Sequence, residues 1–323
     1  MKGTLSGFLF LIMIFLWAPV NQARGQDPVF SQFFAAPVYL NPAFAGSASC
    51  SRIGINYQHR QYGSETFPTA FLSYDTFIEA LSGGVALSAT TDNPFDYYTR
   101  NSISGAYAYH LQAGRELSIH FGLQAGYIRN DVNWGRLEFA DPNEPPPENN
   151  WTHGVDFASG ILAFNEKFYG GVAAHHINRP NMSLYNDAAS RLGIKYTAHA
   201  GMYLEPDMGS IHRSTRNYFF SPNVIFQDQG VHTHMSFGLY AGAEPLMAGM
   251  WYRQWINTPL ESNNNLIFLL GIKLENYRIG YSYDHSFSAY ADIMDAVHEI
   301  SIAIQFNCDQ RNIGRRILNS PTF

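Results

Sequence analysis

The feature that most constrains this chain is a period of two. From Arg52 to Phe306, apolar and polar side chains alternate in segment after segment, separated by turns or by loops rich in Pro, Asn and Asp, with no helical period of comparable strength. Ile53, Ile55 and Tyr57 share one face of the first segment, and Arg52, Asn56, Gln58 and Arg60 share the other, because successive side chains of a strand point to opposite sides. Further on, Leu117, Ile119, Phe121, Leu123, Ala125 and Tyr127 oppose Ser118, His120, Gly122, Gln124 and Gly126. The end of the chain repeats the pattern: Ile300, Ile302, Ile304 and Phe306 oppose Glu299, Ser301, Ala303 and Gln305.

An apolar face on every strand suits either a water-soluble sandwich or a barrel in a membrane. Three features favour the membrane. Many segments run about 9 to 13 residues, close to the ~9–11 that a tilted strand needs to cross a bilayer and longer than the ~5–6 of a soluble strand. Tyr and Phe gather near segment ends, as interfacial girdles require. The connections also alternate in length. Strands are expected at 52–60, 67–77, 83–91, 101–111, 115–130, 152–164, 166–176, 191–204, 217–228, 231–243, 246–256, 265–275, 276–286 and 297–306, an even number. Tight connections fall near Ala113, Glu166, Glu244 and Asn276, and longer ones follow the third, fifth, seventh, eleventh and thirteenth strands. Short turns on one side and long loops on the other mark an outer-membrane barrel. The stretch from Glu205 to Arg216 breaks the rule, being long on the short side. The expected fold is therefore all-β: a transmembrane antiparallel β-barrel of about 14 strands, with an N-terminal periplasmic plug or strap.

Composition agrees. Only 14% of the chain is charged, against about 25% for soluble domains. Aromatic residues reach 15% and Gly numbers 27, while the mean hydropathy is only -0.18. A helical membrane bundle, a disordered chain and a nucleic-acid binder are thereby excluded. The long apolar run, Gly7 to Val20, follows Lys2 and precedes Ala23-Arg24-Gly25. It is shorter than the ~20 residues of a spanning helix and reads as a secretory signal peptide. The expected organisation is a signal peptide at 1–25, an aromatic and proline-rich segment at 26–50, the barrel at 51–306 and a periplasmic C-terminal tail at 307–323. Cleavage removes Lys2 and Arg24 but no acidic residue, so the mature chain is more acidic than the -6 of the precursor.

Cys50 precedes the first strand and Cys308 follows the last. In an even-stranded barrel these positions meet at one rim, so a Cys50–Cys308 disulfide closing the seam is expected in an oxidising periplasm. The same pairing places Arg60 near Asp284 and Glu299, an interior ion network or simply solvated lumen polarity. The run from Gln26 to Gly46 is too apolar for a free tail and too rich in proline for a strand or long helix. It must pack on the lumen, the periplasmic mouth or a partner, or serve as a purely structural strap.

Other chemistry is thinly represented. His232 and His234 share a face and turn toward the lumen, but two ligands without a third make no metal site, and no metal or cofactor is expected. His175 and His176 are expected on opposite faces. No arrangement places a nucleophile beside a base, and there is no P-loop, dinucleotide fingerprint or zinc pattern; an enzyme is not expected. The proline-stiffened loop Asp141–Glu148, between Trp134 and Trp151, is a candidate exposed contact or a tolerated insertion. The tail carries Arg311, Arg315 and Arg316 against Asp309 and is a candidate acidic-partner contact or a disordered end.

The run QDPVFSQFFAAPVYLNPAFAG after the leader, with GYSYDHSF and HEISIAIQF near the end, resembles the PorP/SprF-like outer-membrane proteins of the type IX secretion and gliding machinery of the Bacteroidota. The likeness spans the mature chain, and the extension beyond Phe306 departs from it. The resemblance implies a non-enzymatic secretion accessory. Its partners would be periplasmic ring or lipoprotein components of the type IX system, or a peptidoglycan-binding protein, together with a secreted adhesin bearing a type B C-terminal domain. The family's opening motif falls on Phe30, Gln32, Phe33, Tyr39, Leu40, Asn41, Pro42, Phe44 and Gly46, the candidate partner-binding or plug residues. The alternative is an outer-membrane conduit for a hydrophobic solute such as a fatty acid, since barrels of this size can enclose a ligand path. A general porin is disfavoured by inward faces without a dense ring of charges.

Overall fold

The computed structural model describes residues 27–48, 50–62, 65–137, 149–184, 190–205, 218–230, 232–256, 264–287 and 294–308. The described residues form fourteen strands: β1 (Ser51–Tyr62), β2 (Glu65–Ile78), β3 (Gly83–Phe95), β4 (Tyr98–Ala113), β5 (Leu117–Val132), β6 (Trp151–Phe164), β7 (Phe168–His175), β8 (Lys195–Met202), β9 (Tyr218–Gln229), β10 (His232–Ala243), β11 (Leu246–Trp255), β12 (Asn265–Lys273), β13 (Tyr277–Ser286) and β14 (Met294–Phe306). Each pairs antiparallel with its sequence neighbours. β1 pairs β14 from Ser51 opposite Phe306 to Tyr62 opposite Met294, closing the barrel.

Closure leaves no edge, so each strand's backbone groups can bond within the wall. The two faces of that wall are the reverse of a soluble protein's. Leu123, Leu270 and Leu87 are 66%, 65% and 62% exposed, whereas Asn56, Asp75 and Glu299 are wholly buried. The period of two therefore sorts apolar side chains outward and polar ones inward, the arrangement of a barrel in hydrocarbon. None of the described helices is long and apolar enough to cross a membrane.

Fourteen strands lie close to where the alternation places them; β8, expected over 191–204, is confined to Lys195–Met202, and one loop is redrawn. The long connection expected between 91 and 101 is strand. β3 runs on to Phe95 and β4 starts at Tyr98, with Phe95 opposite Tyr98 beyond a bulge after Asp92. Asn93-Pro94 thus reads as a turn in sequence but sits where the bulge relaxes the ladder. The 205–216 exception, the 141–148 loop, the leader and the tail beyond Cys308 lie outside the described residues, apart from Glu205. Cys50 and Cys308 are joined by a disulfide at the rim where β1 begins and β14 ends.

Candidate functional site

Residues 27–48 pack against the inward face of the wall. Their local fold follows from the prolines. Pro37 opens a single helical turn, α1 (Pro37–Leu40), and Pro42 opens a 3-10 turn, Pro42–Phe44, where the missing N–H costs nothing. Between them Asn41 is extended and its Oδ1 accepts from the Ala43 N–H at 2.9 Å. Gly46 leaves the turn at φ +63, a left-handed conformation, against Gly84 of β3. The segment touches the wall in three groups.

The first lies at the rim opposite the disulfide. Asp27 meets Lys195 Nζ at 2.9 Å, His176 Nε2 at 2.7 Å and Arg100 at 3.3 Å. Its N–H donates to Gln229 Oε1 at 3.0 Å. His176 Nδ1 also donates to Asp156 Oδ1 at 2.9 Å. Burial works against the charged imidazole, but the Asp27 carboxylate and the hydrogen bonds to Asp156 and Asp27 outweigh it and hold the His176 pKa at about 9. Burial likewise opposes the Asp27 anion, yet His176, Lys195 and Arg100 together hold its pKa well below the usual value. The Lys195 ammonium stands 4.4 Å above the Tyr39 ring, whose hydroxyl donates to Pro28 O. Asp27 and Cys308 therefore lie at opposite ends of the barrel. The segment runs the height of the lumen before it turns back.

The second group centres on two carboxylates. Glu299 accepts from the backbone N–H groups of Ser31 and Gln32 at 2.7 and 3.2 Å, and from Asn56 and Gln58 at 3.2 and 3.3 Å. Ser31 Oγ donates to Asp284, which also pairs with Arg253 at 3.3 Å. The Gln32 amide donates to Ser282 Oγ and Glu299 O and accepts from Ser301 Oγ. Beside these bonds, Phe33 meets Trp251 edge-on at 4.8 Å, and Phe30, Tyr39 and Phe71 pack against one another.

The third group grips the Asn41–Gly46 turn. Asn41 Nδ2 donates to Ile161 O and Val172 O at 3.1 and 3.3 Å and lies 3.2 Å from His199 Nε2. His120 and His110 donate to Ala43 O and Ala45 O at 3.3 and 2.9 Å. Phe44 stacks on His199, and Leu40 and Phe44 join a core with Leu162, Phe164, Tyr169 and Ile225. The wall is shaped to receive this turn. A Cβ at Gly122 would lie 2.5 Å from Pro42 C, and one at Gly160 would run into the Asn41 amide.

The nine motif residues are thus brought together against one inner wall, all buried except the half-buried Tyr39. The expected trio Arg60, Asp284 and Glu299 is not. Arg60 pairs with Asp92 at 2.6 Å and donates to Thr69, because the register sets Gln58, not Arg60, opposite Glu299. The cation beside Asp284 is Arg253. His175 and His176 both turn inward. His176 lies past the end of β7 with φ 58, so strand alternation no longer applies to it. His234 faces inward and meets Gln227 at 3.0 Å, and no group of three potential metal ligands exists among the described residues. Asp27, His176, Lys195 and Arg253 escape sequence reasoning, since Asp27 meets its cations, and Arg253 meets Asp284 and Ser31, only through the folded barrel.

An apolar outer wall, an inner wall that carries the buried charges beside an apolar patch, and a closed antiparallel ladder define an outer-membrane β-barrel carrying its own N-terminal segment on the inner face. The chain belongs to the family described as Type IX secretion system membrane protein PorP/SprF, which it matches over residues 22–304. No curated protein matches its sequence. Among solved structures, it is similar to the CymD monoaromatic hydrocarbon channel (11% identity, 87% of this chain and 94% of that one, TM-score 0.43). Omp33 of Acinetobacter baumannii shows 10% identity over 81% of this chain and 100% of that one, TM-score 0.45. A TodX monoaromatic hydrocarbon channel mutant shows 9% identity over 84% and 94%, TM-score 0.47.

Proposed function

We propose that the protein is a non-enzymatic docking component of type IX secretion and gliding, with its lumen plugged by its own N-terminal segment. The observation carrying this reading is the seating of residues 27–46 by buried ion pairs, charge-assisted hydrogen bonds and aromatic contacts along the barrel's height. Such bonds contribute about 1.5–3 kcal/mol each where a charged group takes part, and several act together. A barrel so filled offers its rims rather than a path. The rim bearing the disulfide carries mostly short turns, which suits the periplasmic side, where the tail 307–323 would meet periplasmic ring, lipoprotein or peptidoglycan-binding partners. The opposite rim would hold a secreted adhesin with a type B C-terminal domain. On this reading the mature N-terminus reaches the outer mouth after removal of a leader at 1–25.

Purification from native membranes in mild detergent, with identification of everything bound, tests the proposal. Stoichiometric periplasmic or secreted proteins are expected. Co-purified fatty acid or other apolar solute with no protein partner would replace docking by a conduit.

A further inference from the structure

The barrel is taller on one side. β3, β4, β5 and β6 have 13, 16, 16 and 14 residues, while β7 and β8 have 8 each. On the tall side the outward positions change character toward the rim opposite the disulfide. Ile103 of β4 and Leu123 of β5 belong to the exposed apolar belt. Farther along, the same outward parity is held by Asn101 beside Arg129 and by Thr99 beside Asp131. Thr99 is four residues beyond Ile103, so at ~3.3 Å per residue and a tilt of ~45° it stands about 9 Å farther along the membrane normal. That is the level of lipid headgroups.

At this level lies a cleft of about 550 Å³, inside the ~300–1,000 Å³ usual for small-molecule sites. Tyr97, in the β3–β4 turn, and Trp134, in the 3-10 turn Trp134–Arg136, line it together with Thr99, Asn133 and Asn150. Tyr97 is stacked on Phe95 at 5.3 Å. Asp96, Asp131 and Arg136 line it as well, and each is paired. Arg129 forks onto Asp131 at 2.9 and 2.7 Å, and Arg136 takes Asp96 O at 3.0 Å and the Asp96 carboxylate at 3.7 Å. The cleft therefore presents paired rather than bare cations, a poor match for a phosphate. Two aromatic residues, two amides and a hydroxyl instead suit a sugar ring, whose C–H face packs on an aromatic plane while vicinal hydroxyls bond amide and hydroxyl groups.

We propose that this cleft holds the uncharged sugar headgroup of a glycolipid. The headgroup-level position selects a lipid-borne sugar over a free one, since the acyl chains of such a molecule would lie along the belt below. The inference depends on the membrane-spanning barrel and not on the secretion role.

The test uses the whole processed protein in nanodiscs of phosphatidylethanolamine containing a minor fraction of monoglucosyl diacylglycerol. Lipids retained after release into detergent are identified by native mass spectrometry. Glycolipid enrichment of about tenfold is expected, corresponding to about 1.4 kcal/mol of preference. It should fall to the bulk ratio in Trp134→Ala and, separately, in Asn150→Ala and Tyr97→Ala, and persist in Leu270→Ala on the far side of the belt. Three variants guard against local misfolding of any one. Retention at the bulk ratio in the wild type would overturn the proposal, as would enrichment unchanged in all three variants. Saturable quenching of tryptophan fluorescence by maltose without glycolipid enrichment would overturn the lipid-borne source.

Discussion

Replacing Gly122 by alanine is expected to unseat the N-terminal segment while leaving the barrel intact. The added Cβ would lie 2.5 Å from Pro42 C and 2.6 Å from Ala43 Cα, whereas carbon atoms rest at about 3.5–4.0 Å. Both neighbours are backbone, so neither can swing aside, and the turn must move inward by about 1 Å. That shift carries both the His120 bond to Ala43 O, already 3.3 Å long, and the 2.9 Å bond from His110 to Ala45 O out of range. Two lost bonds at about 1 kcal/mol each and overpacking at about 1–3 kcal/mol give roughly 3–5 kcal/mol against seating. Gly122 pairs with Ala108 and Gly160 through backbone bonds, which alanine preserves. Gly105→Ala is the control, since its nearest neighbour is Leu87 Cδ2 at 3.7 Å. Hydrogen exchange over residues 36–48 should accelerate by roughly 10² to 4×10³ in Gly122→Ala, with heat-modifiable gel mobility unchanged. Equal protection in both variants would refute the seating argument, and loss of the folded barrel in Gly122→Ala alone would refute the separation of segment from wall.

The Asp27 cluster makes seating pH-dependent. His176 titrates at about 9 in place against 6.5 ordinarily, so its contribution is complete below about pH 6.5 and is lost as pH rises through 9. Asp27 titrates well below 3.8, so its contribution is complete above that value and is lost as pH falls through the lowered one. Exchange at residues 27–31 should be slowest between these limits, and His176→Phe should abolish the alkaline limb; a flat profile would sink this reading. Asp27→Ala leaves Lys195, Arg100 and His176 facing one another and should cost about 3–5 kcal/mol of seating, read by the same exchange. Removing the disulfide with Cys50→Ser and Cys308→Ser should cost up to roughly 5 kcal/mol by loop-closure entropy, seen as an earlier guanidinium midpoint; an unchanged midpoint would show that wall pairing alone holds the seam. Glu299→Ala leaves four donors facing a void and should cost about 2–4 kcal/mol, whereas Arg60→Met should leave residues 30–32 undisturbed.

The wall was legible in sequence because a period of two records each side chain's face directly, and every strand had to keep one face compatible with lipid. Ile103 and Leu123 announce that face without knowledge of any partner. The same rule misplaced what lies beyond strand ends. His176 turns inward through a left-handed backbone conformation, and Asn93-Pro94 continues a strand through a bulge. The motif around Asn41 could be seen as needing burial, but not where. Its seat is made of glycines and carbonyls from β5, β6 and β7, and which of them face one another depends on register. Arg60 shows how fine that dependence is: a two-residue offset in β1 separates it from Glu299 and gives it to Asp92. Asp27 carries no local signal, for its three cations come from β4, β8 and the turn after β7.

Ion conductance across planar bilayers tests the central claim most directly. With residues 27–46 seated, the wild-type barrel should show no steady conductance, and deletion of 27–46 with Cys50 retained should open one. A steady open pore in the wild type, unchanged by the deletion, would contradict the account.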